Sequence, residues 1–172
     1  MRPFFRLRER FMDNMLLIAQ LVGTSLITLW LTIGVLDNLR HPSVNETITA
    51  EVLSMARMAE AFPDAFARFS SRAITSRSVQ NMAFRLIVLG EACATCLLWV
   101  GVVALIGACL GWVAPETARV PALLGATAFT GIWGMFLIVG NYFCYWLCHD
   151  GAQNTHYQMT LWGLGTMVLI AI

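Results

Sequence analysis

The sequence predicts an all-α membrane protein with four transmembrane helices in a bundle. Hydrophobic residues make up 58% of the chain and charged residues 12%, whereas soluble domains have about 45–50% and about 25%. The apolar residues lie in long runs separated by polar segments. Such runs match the ~30 Å hydrocarbon core of a bilayer. No repeat or composition boundary divides the chain, so residues 1–172 are predicted to be one membrane domain.

The first predicted span covers about residues 15–36. A short basic segment precedes it and carries Arg2, Arg6, Arg8 and Arg10. The apolar run is longer than the ~7–15 residues of a cleaved signal peptide, and it stops at Asp37. These features favour a retained signal anchor.

The loop of residues 37–81 is about 45 residues long and is predicted to contain a short amphipathic helix. Ser43 and Glu46 have the spacing of a capping box. Apolar residues then recur every three or four positions until Pro63, as in one helical stripe. Such a helix would lie on the membrane surface or against the bundle. A second short helix is predicted over residues 64–70.

The remaining spans are predicted over about residues 82–110, 120–145 and 157–172. The fourth reaches only about 24 Å at 1.5 Å per residue, so it barely crosses, or the natural chain continues past Ile172. Aromatic residues gather near the predicted ends, as in an interfacial belt: Trp112, Tyr142, Tyr145, Trp146 and Tyr157.

The arginine-rich first segment places the N-terminus in the cytoplasm by the positive-inside rule. With four crossings the C-terminus would be cytoplasmic too, and the loop of residues 37–81 would be extracytoplasmic. Polar residues near the span ends then converge at the outer end of the bundle: Asp37, Asn38, Glu91, Asn141, His149 and His156. The alternative is that helix ends are always polar.

Glu91 is the strongest candidate for chemistry, because an unpaired carboxylate inside a span costs several kcal/mol. It lies about ten residues into the second predicted span. The functional interpretation is a proton or cation site. The other is a carboxylic acid hydrogen-bonded to a neighbouring helix, which serves packing specificity.

No metal site or cofactor is predicted, although haem, quinone and metal stay open. Cysteine and imidazole are ligands of zinc, copper and iron, so weak metal candidates are Cys144, Cys148, His149 and His156. Cys93 and Cys96 have Cys-x-x-Cys spacing but lie within a span, where cysteine behaves as a small apolar residue. No catalytic residue is predicted, because no serine–histidine–acid set, phosphate loop or dinucleotide fingerprint occurs.

Gly107, Gly111, Gly131 and Gly134 are predicted to let helices approach closely in lipid. Their partners are either other helices of the bundle or another membrane subunit. With 11 basic and 10 acidic residues, the chain gives no case for a nucleic-acid partner.

Several strings resemble a bacterial family of predicted small integral membrane proteins, the domain of unknown function family 2165. In chain order they are Val52-Leu53-Ser54-Met55, Phe62-Pro63, Arg72-Ala73-Ile74-Thr75-Ser76, Gly90-Glu91-Ala92 and Tyr142-Phe143-Cys144-Tyr145-Trp146. Family members commonly have an acidic residue where this chain has Asn141. The resemblance implies a multi-pass protein of the bacterial inner membrane, and it implies a fold and not a reaction.

Three functions follow as expectations. The first is a non-catalytic accessory or structural subunit of a larger inner-membrane assembly, such as a respiratory or electron-transfer complex. Its partners would be lipid and other membrane subunits, or further copies of the chain. The first alternative is a small oligomeric transporter or proton-linked channel that uses Glu91. The second is a redox membrane protein that binds haem, quinone or metal.

Overall fold

The computed structural model describes the backbone of residues 2–172 and the side chains of residues 12–172. The side chains of the N-terminal arginines lie outside this described part. Within it the chain forms seven α-helices: α1 (Arg2–Arg40), α2 (Pro42–Ser54), α3 (Ala56–Ala61), α4 (Pro63–Phe69), α5 (Arg77–Cys109), α6 (Pro115–Tyr142) and α7 (Asp150–Ala171). Short 3-10 turns at Ser70–Arg72 and Tyr145–Leu147 complete the fold.

Three helical segments are long and apolar enough to cross a membrane: Met12–Arg40 of α1, α5 and α6. The prediction of four transmembrane helices is therefore wrong. Its fourth span lies in α7, which begins at Asp150. The first turns of α7 carry Gln153, Asn154 and His156, so its apolar part is short. The prediction that both chain ends lie on one side of the membrane loses its basis, since it required an even number of crossings.

The predicted loop of residues 37–81 is also wrong, because most of it is helical. The one amphipathic helix predicted to end at Pro63 is divided into α2 and α3, and α4 lies where the second short helix was predicted over residues 64–70. The apolar stripe that predicted a continuous helix is broken at Met55, which adopts the left-handed conformation with φ 54°. The capping box is not formed either. His41 occupies the N-cap of α2, no side chain caps the helix, and Pro42 follows in its first turn.

The α5–α6 interface is the closest approach between two spans. A Cβ atom built on Gly101 would lie 2.5 Å from the Cα of Ala122, and one on Gly125 would lie 2.8 Å from the Cα of Leu98. Ala118 and Ala126 are also fully buried on this face of α6. Small residues at four-residue spacing allow such backbone contact in lipid. The close approach of α5 and α6 therefore requires glycine or alanine at these positions.

One face of α1 completes the core, and buried residues recur along it every three or four positions from Leu17 to Asn38. Gln20 on this face is fully buried. Its Nε2 donates to the carbonyl oxygen of Leu169 at 2.9 Å, and its Oε1 accepts from the Nε of Arg119 at 3.0 Å. Gln20 therefore bonds to a backbone carbonyl near the end of α7. The contact ties α1, α6 and α7 together.

A second, smaller core joins the short helices to the end of α6. It contains the buried residues Leu53, Met55, Met58, Phe143 and Cys144. Arg72 fastens this region: its guanidinium lies 4.7 Å from the ring of Phe69 and 4.9 Å from the ring of Tyr142. It also donates to the Tyr142 carbonyl oxygen at 2.9 Å. The α2–α4 segment is thus held against the spans.

Candidate functional site

Three side chains from three helices form a hydrogen-bonded series that ends at Glu91. The Nδ2 of Asn45 in α2 donates to the Oδ1 of Asn38 at 2.6 Å. The Nδ2 of Asn38 in α1 donates to the Oε2 of Glu91 in α5 at 2.8 Å. Asn38 and Glu91 are 7% and 5% exposed. Within the described residues Glu91 has no salt bridge. A buried carboxylate is commonly paired with a cation, but here its side-chain partner is the amide of Asn38.

Asn45, Asn38 and Glu91 line a cavity of about 330 Å³. Small-molecule sites commonly have about 300–1,000 Å³. Aromatic rings form much of the remaining wall, and they come from four elements: Phe84, Trp133, Phe136, Tyr145 and His156. Ile48 and Val52 of α2 also contribute, so the segment outside the spans covers part of the cavity. The site is mostly apolar with a few polar groups, which is the usual composition of a ligand pocket.

The position of Tyr145 depends on two local features of the chain. Two residues after the end of α6, Cys144 adopts the left-handed conformation with φ 53° and begins the 3-10 turn that carries Tyr145. Gly140 then receives the Tyr145 ring, since a Cβ there would lie 2.8 Å from three ring atoms. The ring stacks on that of His156, with centroids 5.9 Å apart at 19°. A non-glycine residue in this conformation is uncommon, and here it directs an aromatic ring to the cavity.

Three of the residues that line the cavity carry a buried polar atom without a hydrogen-bond partner among the described residues: Trp133 Nε1, Tyr145 OH and His156 Nδ1. Trp133 and Tyr145 are 7% and 3% exposed. Burial raises the pKa of Tyr145 to about 12, with a further contribution from Tyr157. Burial lowers the pKa of His156 to about 4. At neutral pH the phenol therefore keeps its proton, and the imidazole is uncharged.

The structure brings three of the six predicted polar residues to this cavity: Asn38, Glu91 and His156. Asp37 and Asn141 are exposed. His149 is buried but lines a separate cavity of about 10 Å³. Burial is the main cause that lowers the pKa of His149, and the charge of Arg57 lowers it further. A binding role for the cluster stays a prediction.

The weak metal candidates divide between the two cavities. Cys144, Cys148 and His149 line the small one together with Met55 and Met58, whereas His156 faces the large one. Burial raises the pKa of the Cys148 thiol, and this effect outweighs the smaller lowering of the pKa by the charge of Arg57. Among the residues that the structure describes, no three or more His, Cys, Asp or Glu side chains are grouped so that they could hold a metal ion.

The predicted packing glycines take different places. A Cβ on Gly107 would lie 3.2 Å from the Val113 side chain, and Gly111 forms the following turn with φ 76°. Gly131 and Gly134 have no atom of the described chain within 4 Å of such a Cβ. A contact between them and another chain stays a prediction.

Sequence reasoning did not single out Asn45, Trp133 or Gln20. A lone amide in an apolar run was the available signal for Gln20, just as the lone carboxyl was for Glu91. The series Ala118, Ala122 and Ala126 was a small-xxx-small signal for the α5–α6 interface. Trp133 has no such signal, because aromatic residues are common in spans.

We expect stability to fall as the pH is lowered from about 6.5 to about 4, and His156 to contribute to this loss. The unfolded imidazole binds its proton near pH 6.5 and the folded one only near pH 4. The unfolded state therefore holds more protons in this interval, and unfolding free energy rises with pH. Thermal unfolding in mild detergent at several pH values measures the effect, which for a half-buried group is of the order of ~2–4 °C.

His156→Phe keeps a ring beside Tyr145 and is expected to flatten this pH dependence. His41→Phe changes an exposed histidine and serves as the control. His149 contributes in the same direction, so part of the slope remains. An unchanged slope in His156→Phe would show that the imidazole titrates alike in both states.

The fold and the cavity define a class: a helical integral membrane protein with a mostly apolar cavity between its helices. The family described as "predicted small integral membrane protein", the domain of unknown function family 2165, matches residues 16–172. The chain belongs to this family, and the resemblance found in its loop strings is confirmed. No curated protein and no solved structure matches the chain.

Proposed function

We propose that this protein binds a small, largely apolar molecule in the cavity at Glu91, and that Glu91 exchanges a proton as it does so. The observation that carries the proposal is the cavity itself, which combines a buried carboxyl, apolar walls and buried polar atoms without partners. A carboxyl between spans is costly, and packing alone does not account for the space beside it. The N-terminal arginines favour a cytoplasmic N-terminus, and the family resemblance is what favours a bacterial inner membrane.

The lipid-soluble reagent dicyclohexylcarbodiimide tests the proposal, because it is itself a small apolar molecule that reacts with protonated carboxyl groups. The carboxyl oxygen adds to the carbodiimide carbon, the proton passes to nitrogen, and the adduct rearranges to a stable acylurea. We expect modification of Glu91 in the folded protein, detected by peptide mass spectrometry. A water-soluble carbodiimide is expected to react there much more slowly.

Two variants make this test specific. Ala152→Trp is expected to slow modification of Glu91, because Ala152 lines the cavity. Glu116→Gln is the control, since Glu116 is exposed at the start of α6, and it should leave the rate unchanged. If Glu91 is modified only after unfolding in sodium dodecyl sulfate, the cavity is closed to small molecules and the proposal is wrong.

A second candidate is an accessory subunit of a larger membrane assembly, and the surface of α5 and α6 favours it. A wholly apolar groove there is lined by Leu86, Gly90, Gly131 and Met135, among others. Gly90 and Gly131 have no atom of the described chain against them, so another helix could approach closely. A protein that always migrates alone after gentle detergent extraction would exclude this candidate.

A further inference from the structure

The unpartnered polar atoms restrict which molecules the cavity can hold. Trp133 Nε1, Tyr145 OH and His156 Nδ1 come from α6, the following 3-10 turn and α7. Leaving such an atom unpaired costs about 1–3 kcal/mol. The indole N–H can only donate, so the molecule that satisfies it must bring an acceptor oxygen or nitrogen.

A second polar group on the wall comes from α1 and α5. Asn38 and Glu91 meet there, and the carboxyl of Glu91 accepts when ionised and donates when protonated. A bound molecule therefore has a hydrogen-bonding partner here in either state. A ligand that uses both groups must carry polar atoms, either oxygen or nitrogen, at two places.

The walls between these groups favour a flat ring. Phe84, Trp133, Phe136 and Tyr145 present aromatic surfaces, and aromatic rings pair by stacked or edge-to-face contact. Trp133 and Phe136 already meet edge to face, with ring centroids 5.3 Å apart. The volume of about 330 Å³ suits one substituted ring and not a large macrocycle such as haem.

Charge argues against an anion, and the need for an acceptor argues against a simple ammonium ion. An anion would meet the carboxyl of Glu91 without a compensating cation, because no arginine is among the described residues that line the cavity. An organic ammonium ion would pair with Glu91 and with aromatic faces. It would nevertheless leave the Trp133 N–H without an acceptor.

We propose that the cavity binds the head group of a quinone or quinol: a flat ring whose two oxygens meet Trp133 and Tyr145 on one part of the wall and Glu91 on another. This inference rests on the proposed function and names its ligand class. A quinol hydroxyl would donate to ionised Glu91, and a quinone carbonyl would accept from protonated Glu91. The inference concerns binding of the ring and includes no electron transfer.

Duroquinone and durene test the inference on the wild-type protein. They share one ring and four methyl groups, and durene lacks both oxygens. We expect duroquinone to slow carbodiimide modification of Glu91 and to raise the unfolding temperature, and durene to do so at least tenfold less strongly at equal concentration. Equal effects of the two would overturn the inference.

Variants then locate the oxygen contacts. Trp133→Phe and Tyr145→Phe keep a ring but remove a donor, and each is expected to weaken duroquinone binding about five- to tenfold. Trp112→Phe and Tyr157→Phe change exposed residues and serve as controls. If both cavity variants bind duroquinone as the wild type does, the assigned contacts are wrong.

Failure of this inference is distinguishable from failure of the proposed function. If the carbodiimide modifies Glu91 but benzyltrimethylammonium protects it better than duroquinone, the cavity holds an organic cation and the quinone inference is overturned. If Glu91 is modified and duroquinone gives no protection, the quinone inference also falls while the open cavity stands. If Glu91 is not modified in the folded protein, the proposed function itself is wrong.

Discussion

Gly101→Ala is expected to destabilise the protein by about 1–3 kcal/mol or more. The added methyl group would lie 2.5 Å from the Cα and 2.9 Å from the nitrogen of Ala122. Both atoms are backbone, so α5 and α6 would have to move apart along their shared length. Gly125→Ala should act alike, because its Cβ would lie 2.8 Å from the nitrogen and Cα of Leu98. Unfolding in mild detergent, followed by circular dichroism, measures both.

Gly131→Ala is the matched control, since the same substitution there meets no atom of the described chain within 4 Å. Alanine is favoured over glycine in a helix by about 1 kcal/mol, so this variant should be neutral or more stable. The same chemical change is thus expected to have opposite signs at the two positions. Equal effects at Gly101 and Gly131 would contradict the close approach of α5 and α6.

Asn38→Leu is expected to lower the unfolding free energy by about 3 kcal/mol, because it leaves the buried carboxyl of Glu91 without its hydrogen-bond donor. The double variant Asn38→Leu/Glu91→Leu should be more stable than this single variant, since the buried carboxyl that lacks a donor is then removed. The expected coupling between the two positions is about 1–3 kcal/mol. Unfolding of the four proteins in the cycle by sodium dodecyl sulfate gives this value.

Asn141→Leu is the control for this cycle. It removes the same amide from an exposed position, where substitutions usually change stability by no more than about 0.5 kcal/mol. Strictly additive effects of Asn38→Leu and Glu91→Leu would show that the two side chains do not stabilise each other. The structure would then be wrong about the link between α1 and α5.

The sequence predicted the long membrane-spanning helices, whose signal is an average over many residues. It did not predict a helix break that depends on the backbone angle of one residue. The apolar runs of α1, α5 and α6 extend over many residues, and a few polar positions do not hide them. The stripe in residues 48–62 also had helical periodicity, but the left-handed Met55 divides it. A pattern of side chains does not show such a break, because methionine is an unusual residue for that conformation.

The same distinction applies to the candidate site. Glu91 and Asn38 were found because polar residues are rare in or beside apolar runs, and chain direction placed them at the same end. Trp133 and Tyr145 were not expected at the cavity, since their polar atoms become unusual only when burial and partners are known. The fourth span was overestimated for a similar reason. The run of residues 157–172 was expected barely to cross the membrane, and α7, whose first turns are polar, is not among the described helices that are long and apolar enough to do so.

Asn38 also links a carboxyl group in a predicted span to a residue of α2 outside the spans, because it is hydrogen-bonded to both Glu91 and Asn45. Hydrogen bonds in series polarise one another, so a proton lost from Glu91 strengthens the pull on the Asn38 amide and changes what its carbonyl oxygen offers to Asn45. The helix that carries Asn45 lies outside the spans. A change in the charge of Glu91 would thereby alter a hydrogen bond that reaches the exposed residue Asn45.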